Sequence, residues 1–219
     1  MAVRRHDWAA ALMTMASSVA LRALGIQVVV DDSHPSEPDG MPLVHIFNHR
    51  SPCDGLVIQA VLKLPGLTTA QLHLKWVLPG YAAAARNAGS AVLDHRQPQS
   101  RLAGLMSAST LLRDHGEIMI APNGSFLTPI EERVSSSAWM LAQHYGGSIV
   151  PWVFRYEGLD GAVGARYKPL RLLLNRLTAP LGTIHCRRGR SSDLQLPEDP
   201  RDRDGFSRAV QQYYRQQQK

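Results

Sequence analysis

Leu43-Val44-His45-Ile46-Phe47-Asn48-His49-Arg50-Ser51-Pro52-Cys53-Asp54 is the stretch on which the reading of this chain turns. Leu43 to Phe47 is a strand-like run, and Gly55 to Lys63 reads as a helix. The polar segment between them puts a histidine and an aspartate where a buried strand ends and a helix begins. Open α/β sheets gather their ligands at such carboxyl ends. On an extended chain, residues five apart would stand about 16 Å from each other. Pro52 and the helix start argue instead for a turn, which brings Asp54 back beneath His49.

Two jobs fit Asp54. In the first, it takes the proton of one ring nitrogen of His49. The other nitrogen is then free to act as a base toward a hydroxyl or amine, with no serine nucleophile required. In the second, Ser51 is a helix N-cap, Pro52 the first helical residue and Asp54 the third, where a carboxylate closes a capping box. The two roles draw on the same oxygens and partly coexist. His49 alone also fits a satisfied core histidine. Cys53 offers a thiol nucleophile activated by His49, against the plainer reading of a small buried side chain. His45, His49, Cys53 and Asp54 lack the spacing of a structural zinc site, and there is no HExxH, so no metal is expected.

The chain has 219 residues, 44% hydrophobic and 19% charged, an ordinary globular balance for one domain. Its formal net charge of +6 favours acidic partners: membrane lipid, a phosphorylated cofactor or an acidic carrier protein. Nucleic acid is not expected, since there is no glycine-rich loop at a strand–helix junction, no zinc finger and no long basic tract. Two cysteines, Cys53 and Cys186, make no disulfide framework and fit a reducing compartment. No run approaches the roughly 20 apolar residues of a membrane span. Residues 1–25 resemble a signal peptide in their basic start, but Asp7, Thr14, Ser17, Ser18 and Arg22 favour a helix ending at Gly25. Trp8, Leu12, Met15 and Val19 share one side of it. It either covers the sheet or lies on a membrane surface, with Arg4, Arg5 and Arg22 near headgroups.

Further along, strands are expected at Ile26–Val30, His73–Val77, Gly89–Leu93, Ile118–Ala121 and Ser148–Phe154. Pro151 places the last at an edge, a bulge or a first hydrogen-bonding position. Helices are expected over Tyr81–Asn87, Arg101–His115 and Ser136–Tyr145, the second with Leu102, Leu105, Met106, Ser109 and Leu112 inward. Residues 164–190 are a basic, leucine-bearing segment suited to a membrane surface, an acidic carrier or a solvated helix face. A loop-like stretch precedes a last helix marked by Phe206, Val210, Tyr213 and Tyr214. Alternating strands and helices predict one α/β domain with a central, mostly parallel sheet flanked by helices. Its parts are an N-terminal helix over 1–25, a core over 26–190, and a polar linker and helix over 191–219.

Four blocks then stand out: Asn48-His49 with Asp54; Gly89-Ser90-Ala91-Val92-Leu93-Asp94 with His95 and Arg96; Ala121-Pro122-Asn123-Gly124-Ser125-Phe126; and Ile149-Val150-Pro151. In order and spacing they resemble the glycerol-phosphate and lysophosphatidic acid acyltransferase superfamily, the PlsC-like proteins, over roughly residues 20–190. The resemblance implies direct attack on an acyl thioester, with His49 as general base and Asp54 orienting it. It implies acyl-CoA or a phosphopantetheine-linked acyl carrier protein as donor, and no bound cofactor. Asn48, Ser51, His95, Arg96, Asn123, Gly124, Ser125, Phe126 and Pro151 become substrate-binding candidates. The superfamily's third block is usually Phe-Pro-Glu-Gly-Thr-Arg, and its second carries arginine where His95 stands. Arginine is the natural bidentate partner of a phosphate. Asn123, Phe126 and His95 therefore imply an uncharged, zwitterionic or bulky hydroxyl or amine acceptor. A cytoplasmic protein, peripheral on the inner face of a membrane, is the implied setting. A non-catalytic lipid or carrier binder and a thioesterase-like hydrolase are the alternatives.

Overall fold

The computed structural model describes residues 3–32, 40–51, 53–63, 67–69, 91–93, 98–124, 128–158 and 182–217. Within them the chain runs α1 (Val3–Ala23), β1 (Gln27–Asp31), β2 (Leu43–Phe47), α2 (Asp54–Val57), β3 (Leu67–Thr69), β4 (Ala91–Leu93), α3 (Pro98–His115), β5 (Glu117–Ile120), α4 (Ser137–Tyr145), β6 (Ser148–Glu157), β7 (Thr183–Arg188) and α5 (Arg203–Gln216). α2 runs on as a π-helical turn over Ile58–Leu62, and a 3-10 turn spans Ser191–Leu194. The main sheet has the order β1-β7-β6-β2-β5, and its pairings are parallel except for β6 with β7. This is the α/β domain with a mostly parallel central sheet that the sequence predicts.

Period-two alternation sorts the strand residues between two packed faces. Val44, Ile46, Ile118, Ile120, Ile149 and Val153 bury against Ala108 and Leu112 of α3, Trp139 and Leu141 of α4, and Phe206, Val210 and Tyr214 of α5. Phe47, Met119, Trp152, Phe154, Ile184 and Cys186 turn the other way, onto Leu21 of α1 and Val57 of α2. Each fully buried aliphatic or aromatic side chain contributes about 1.5–3 kcal/mol, so the two clusters hold the layers together. β2 is buried on both faces because helices cover both.

Register sets up the site. Ile46 stands opposite Ile120, and Phe47 opposite Trp152, so β2 and β5 end at one level. The segments that follow them leave the same edge of the sheet side by side. β6 continues past that level to Glu157 and forms a wall.

Several expectations are corrected here. Thr183–Arg188, inside the segment read as a basic tail, is a central-sheet strand between β1 and β6. Ile184 and Cys186 alternate inward, while Arg187 sits on the exposed face of the same strand. Counting arginines hid that alternation. Leu102 and Met106 of α3 are 63% and 64% exposed, whereas Ala108 and Leu112 are buried. Ala108 and Leu112, with Leu105 partly buried beside them, mark the side that approaches the sheet, so Leu105 and Leu112 face in as expected and Leu102 and Met106 do not. On α1, Leu12, Met15 and Val19 also face outward, and Ser17 and Leu21 face in. Leu67–Thr69, read as no element, pairs with β4 in a separate two-stranded parallel sheet. The strand expected at 73–77 and the helix at 81–87 lie outside the described residues.

Pro151 sits in an interior strand, not at an edge. Its carbonyl accepts from Gly189 N at 2.7 Å, so Pro151 points its backbone toward the β7 side. The β6–β7 ladder begins one residue later, with Trp152 opposite Arg188. Pro151 is the fourth residue of β6, so it is not at the strand's first position either; its missing N–H leaves that rung with the Gly189 bond alone. Gly189 is confined as well: a Cβ there would lie 2.4 Å from the Tyr213 hydroxyl.

Candidate active site

The turn after β2 is built around one carboxylate. Asp54 Oδ2 lies 2.7 Å from His49 Nδ1, and it accepts the backbone N–H groups of Arg50 and Ser51 at 3.0 Å each. Ser51 Oγ accepts from Cys53 N at 3.1 Å, and Asp54 N donates to Ser51 O at 3.1 Å. The contact with His49 and the capping of the turn are thus made together. Asp54 caps the backbone of the turn and holds His49 with the same oxygen. The helix itself starts at Asp54, with Cys53 in the N-cap position that Ser51 was expected to fill. Ser51 keeps the capping hydroxyl, one step further back.

Asp54 is wholly buried, and the His49 side chain is 19% exposed. The carboxylate's second oxygen is also engaged: the Tyr156 hydroxyl donates to Oδ1 at 2.5 Å. Burial, followed by the neighbouring Asp54, holds the Tyr156 phenol well above the ordinary tyrosine range, so it keeps the proton it donates. Backbone N–H groups and a phenol can only donate here, and an accept-only carboxylate matches them. His49 Nδ1 then carries the imidazole proton toward Asp54. Nε2 lies on the far side of the ring from this contact. The ring leans on Phe47, centroids 5.6 Å apart, and Phe47 on Phe154 at 5.1 Å.

Neighbouring blocks lock this turn in place. Asn48, buried, donates Nδ2 to Phe154 O at 2.8 Å, and its Oδ1 accepts from Phe154 N at 2.7 Å. One amide thereby extends the β2–β6 pairing by a rung. Asn123, in the turn after β5, donates Nδ2 to His49 O and to Thr128 O, both at 2.8 Å. Two carbonyl partners fix which end of the amide is nitrogen. Gly124 follows with φ +69°, a left-handed conformation that glycine adopts without strain, and its N–H donates to Ala121 O at 3.0 Å.

The structure therefore brings His49, Asp54, Asn48, Ser51, Asn123 and Gly124 to one edge of the sheet. Pro151 lies in β6, at the level of Ile46. His95, Arg96, Ser125 and Phe126 lie outside the described residues. Tyr156 is the residue that sequence reading missed. The signal was available, since it continues the alternation Val150, Trp152, Phe154 on the inward face of β6, but the strand was expected to stop at Phe154.

Cys186 and His45 are structural. Burial, then the charge of Asp54, pushes the Cys186 thiol up to about 12. Cys53 is partly buried against the second cluster. His45 is a satisfied core histidine: Trp152 Nε1 donates to its Nδ1 at 3.1 Å, and its Nε2 lies 3.3 Å from Glu117 Oε2. Among the described residues, no group of three or more His, Cys, Asp or Glu is placed to hold a metal ion.

A family model described as "Acyltransferase" matches residues 27–155, more than half of the 219-residue chain. The fold is similar to that of the crystal structure of the 1-acyl-sn-glycerophosphate (LPA) acyltransferase PlsC from Thermotoga maritima. The TM-score is 0.61 at 17% sequence identity, covering 97% of this chain and 81% of that one. No curated protein matches the chain.

Proposed function

The chain belongs to the Acyltransferase family and is an acyl-transferring enzyme, and from that premise we propose that His49 is the general base and Asp54 the residue that orients it. The observation that carries this reading is the 2.7 Å contact from His49 Nδ1 to the buried Asp54 carboxylate. In the reaction, Nε2 of His49 takes the proton of an acceptor hydroxyl or amine as its oxygen or nitrogen attacks the thioester carbonyl. The tetrahedral intermediate then expels the thiolate. The imidazolium returns the proton to the sulfur, leaving an ester or amide and a free thiol. Asp54 stabilises the transient imidazolium.

The proposed donor is acyl-CoA or an acylated carrier protein, in keeping with a net charge of +6 and acidic partners. For the acceptor, Asn123 stands where the related proteins carry a glutamate, and it donates to two backbone carbonyls. This supports an acceptor held in another way than glycerol phosphate: an uncharged, zwitterionic or bulky hydroxyl or amine compound. No helix of the described residues is long and apolar enough to cross a membrane. Leu12, Met15 and Val19, 46%, 59% and 60% exposed along one side of α1, support a peripheral seat on the inner face of a membrane.

Intact-product mass spectrometry tests the reading. The protein and His49→Ala would meet acyl-CoA and acyl-carrier donors with pooled lysolipid, glycerol-phosphate and polyhydroxyl acceptors. The expected result is an acylated product that falls by about 10²–10⁴-fold in the variant. Product formation independent of His49 would overturn the assignment of the base, and free fatty acid alone would make the protein a hydrolase.

A further inference from the structure

Among the described residues, the Asp54 carboxylate has four hydrogen-bond partners, and three belong to its own turn. The fourth, Tyr156, comes from 102 residues away and from a different element, β6. It is the one partner whose polar atom a substitution removes while leaving the turn and His49 intact. We propose that Tyr156 is a positioning residue that, through its hydrogen bond to Asp54 Oδ1, sets how strongly Asp54 acts on His49. The inference rests on the reading of His49 as the base.

Two physical effects combine. First, the carboxylate's two oxygens share one negative charge. A donor on Oδ1 draws charge away from Oδ2, the oxygen that faces His49 Nδ1, and moderates its pull on the imidazolium. Second, Oδ2 is anchored to the turn and Oδ1 to β6. The plane of the carboxylate is thereby fixed, and with it the direction of His49. The surroundings make the bond count. Tyr156 packs against the cluster that holds Leu21 of α1, Val57 of α2 and Ile184 of β7, and water does not screen a wholly buried carboxylate. Among the described residues, the other titratable groups acting on Tyr156 are Cys186 of β7 and Cys53 before α2. Cys186, up at about 12, is neutral at working pH.

The sign follows. Without the Tyr156 hydroxyl, more charge sits on Oδ2, the protonated form of His49 is favoured, and the base becomes active only at higher pH. The test uses the full chain with 15N-labelled histidine. Wild type and Tyr156→Phe are compared, together with protein carrying 3-fluorotyrosine in place of Tyr156, which is a stronger donor of nearly the same shape. The first readout is the nuclear magnetic resonance titration of the His49 ring. The second is the pH profile of CoA release from palmitoyl-CoA in the presence of the pooled lysolipid, glycerol-phosphate and polyhydroxyl acceptors. Tyr156→Phe should move the His49 midpoint, and the acid limb of the profile, up by about one pH unit, a change of about tenfold in proton affinity. The fluorinated residue should move both down. A lower melting temperature with the midpoint unmoved would mean a merely structural tyrosine and overturn the proposal. Should Tyr156→Phe fail to fold, the fluorinated protein decides by itself. Wild type that releases no CoA would mean that the donor or acceptor is another compound. The titration would still test the bond, a shift supporting it and no shift overturning it.

Discussion

Asp54 shows how one side chain serves both the local turn and the proposed base. Its Oδ2 closes the turn by accepting two backbone N–H groups and in the same position receives His49. Asp54→Asn should therefore damage both: an amide cannot present one acceptor to all three donors, and the wrong imidazole tautomer is favoured. Acyl transfer should fall by about 10⁴-fold, by analogy with the same change in a serine-protease triad, as single-turnover assays would show. Asn123 supplies a second test. Its amide holds the carbonyls of His49 and Thr128, and Asn123→Asp would set carboxylate oxygens against both. The loss should exceed the roughly 1–3 kcal/mol of an unmade buried hydrogen bond, read as a lower denaturation midpoint in urea. If Asn123→Asp left stability unchanged, the clip would not be holding the turn. The spacing of His49 and Asp54 was legible in the sequence because both belong to one local turn. The task of Asn123 was not, because its partner lies 74 residues away.

At the scale of elements, α5 supports the floor of the site from below. Phe206 stacks on Trp139 with centroids 5.4 Å apart, and the Tyr214 hydroxyl lies 3.1 Å from Ile46 O and 3.0 Å from Trp152 O. These carbonyls belong to the strands that lead into and flank His49. Tyr214→Phe should cost about 1–2 kcal/mol, since it leaves buried acceptors without that donor. Differential scanning calorimetry would measure it. The apolar pattern Phe206, Val210, Tyr213, Tyr214 was readable because helical period and burial agree there. It misled in part on α3, where Leu102 and Met106 face solvent. On α1 the outward stripe gives a prediction: Met15→Glu with Val19→Glu should change stability by no more than about 0.5 kcal/mol each, as exposed substitutions do. The same pair should abolish sedimentation with anionic vesicles. Full retention of vesicle binding would remove α1 from the membrane-facing role.

For the whole molecule, a net charge of +6 acts at a range set by salt. Exposed charges are screened beyond about 8 Å at physiological ionic strength. Binding to anionic vesicles, or to an acidic carrier, should weaken steeply as salt rises, and co-sedimentation across a salt series would show it. Salt-independent binding would point to apolar contact alone. The amino-acid sequence by itself determined the α/β class, the strand–turn–helix around His49 and Asp54, and the last helix. Each follows from residues near one another in the chain: alternation, a proline, a helical period. Tertiary structure decided what depends on distant partners. It placed Thr183–Arg188 inside the sheet although its arginines suggest a solvated tail, and it found Pro151 a place in an interior strand at the end of a ladder. It carried β6 past the end of β2 so that Tyr156 reaches Asp54. Pairing register and burial come from elements far apart in sequence, and no local pattern contains them.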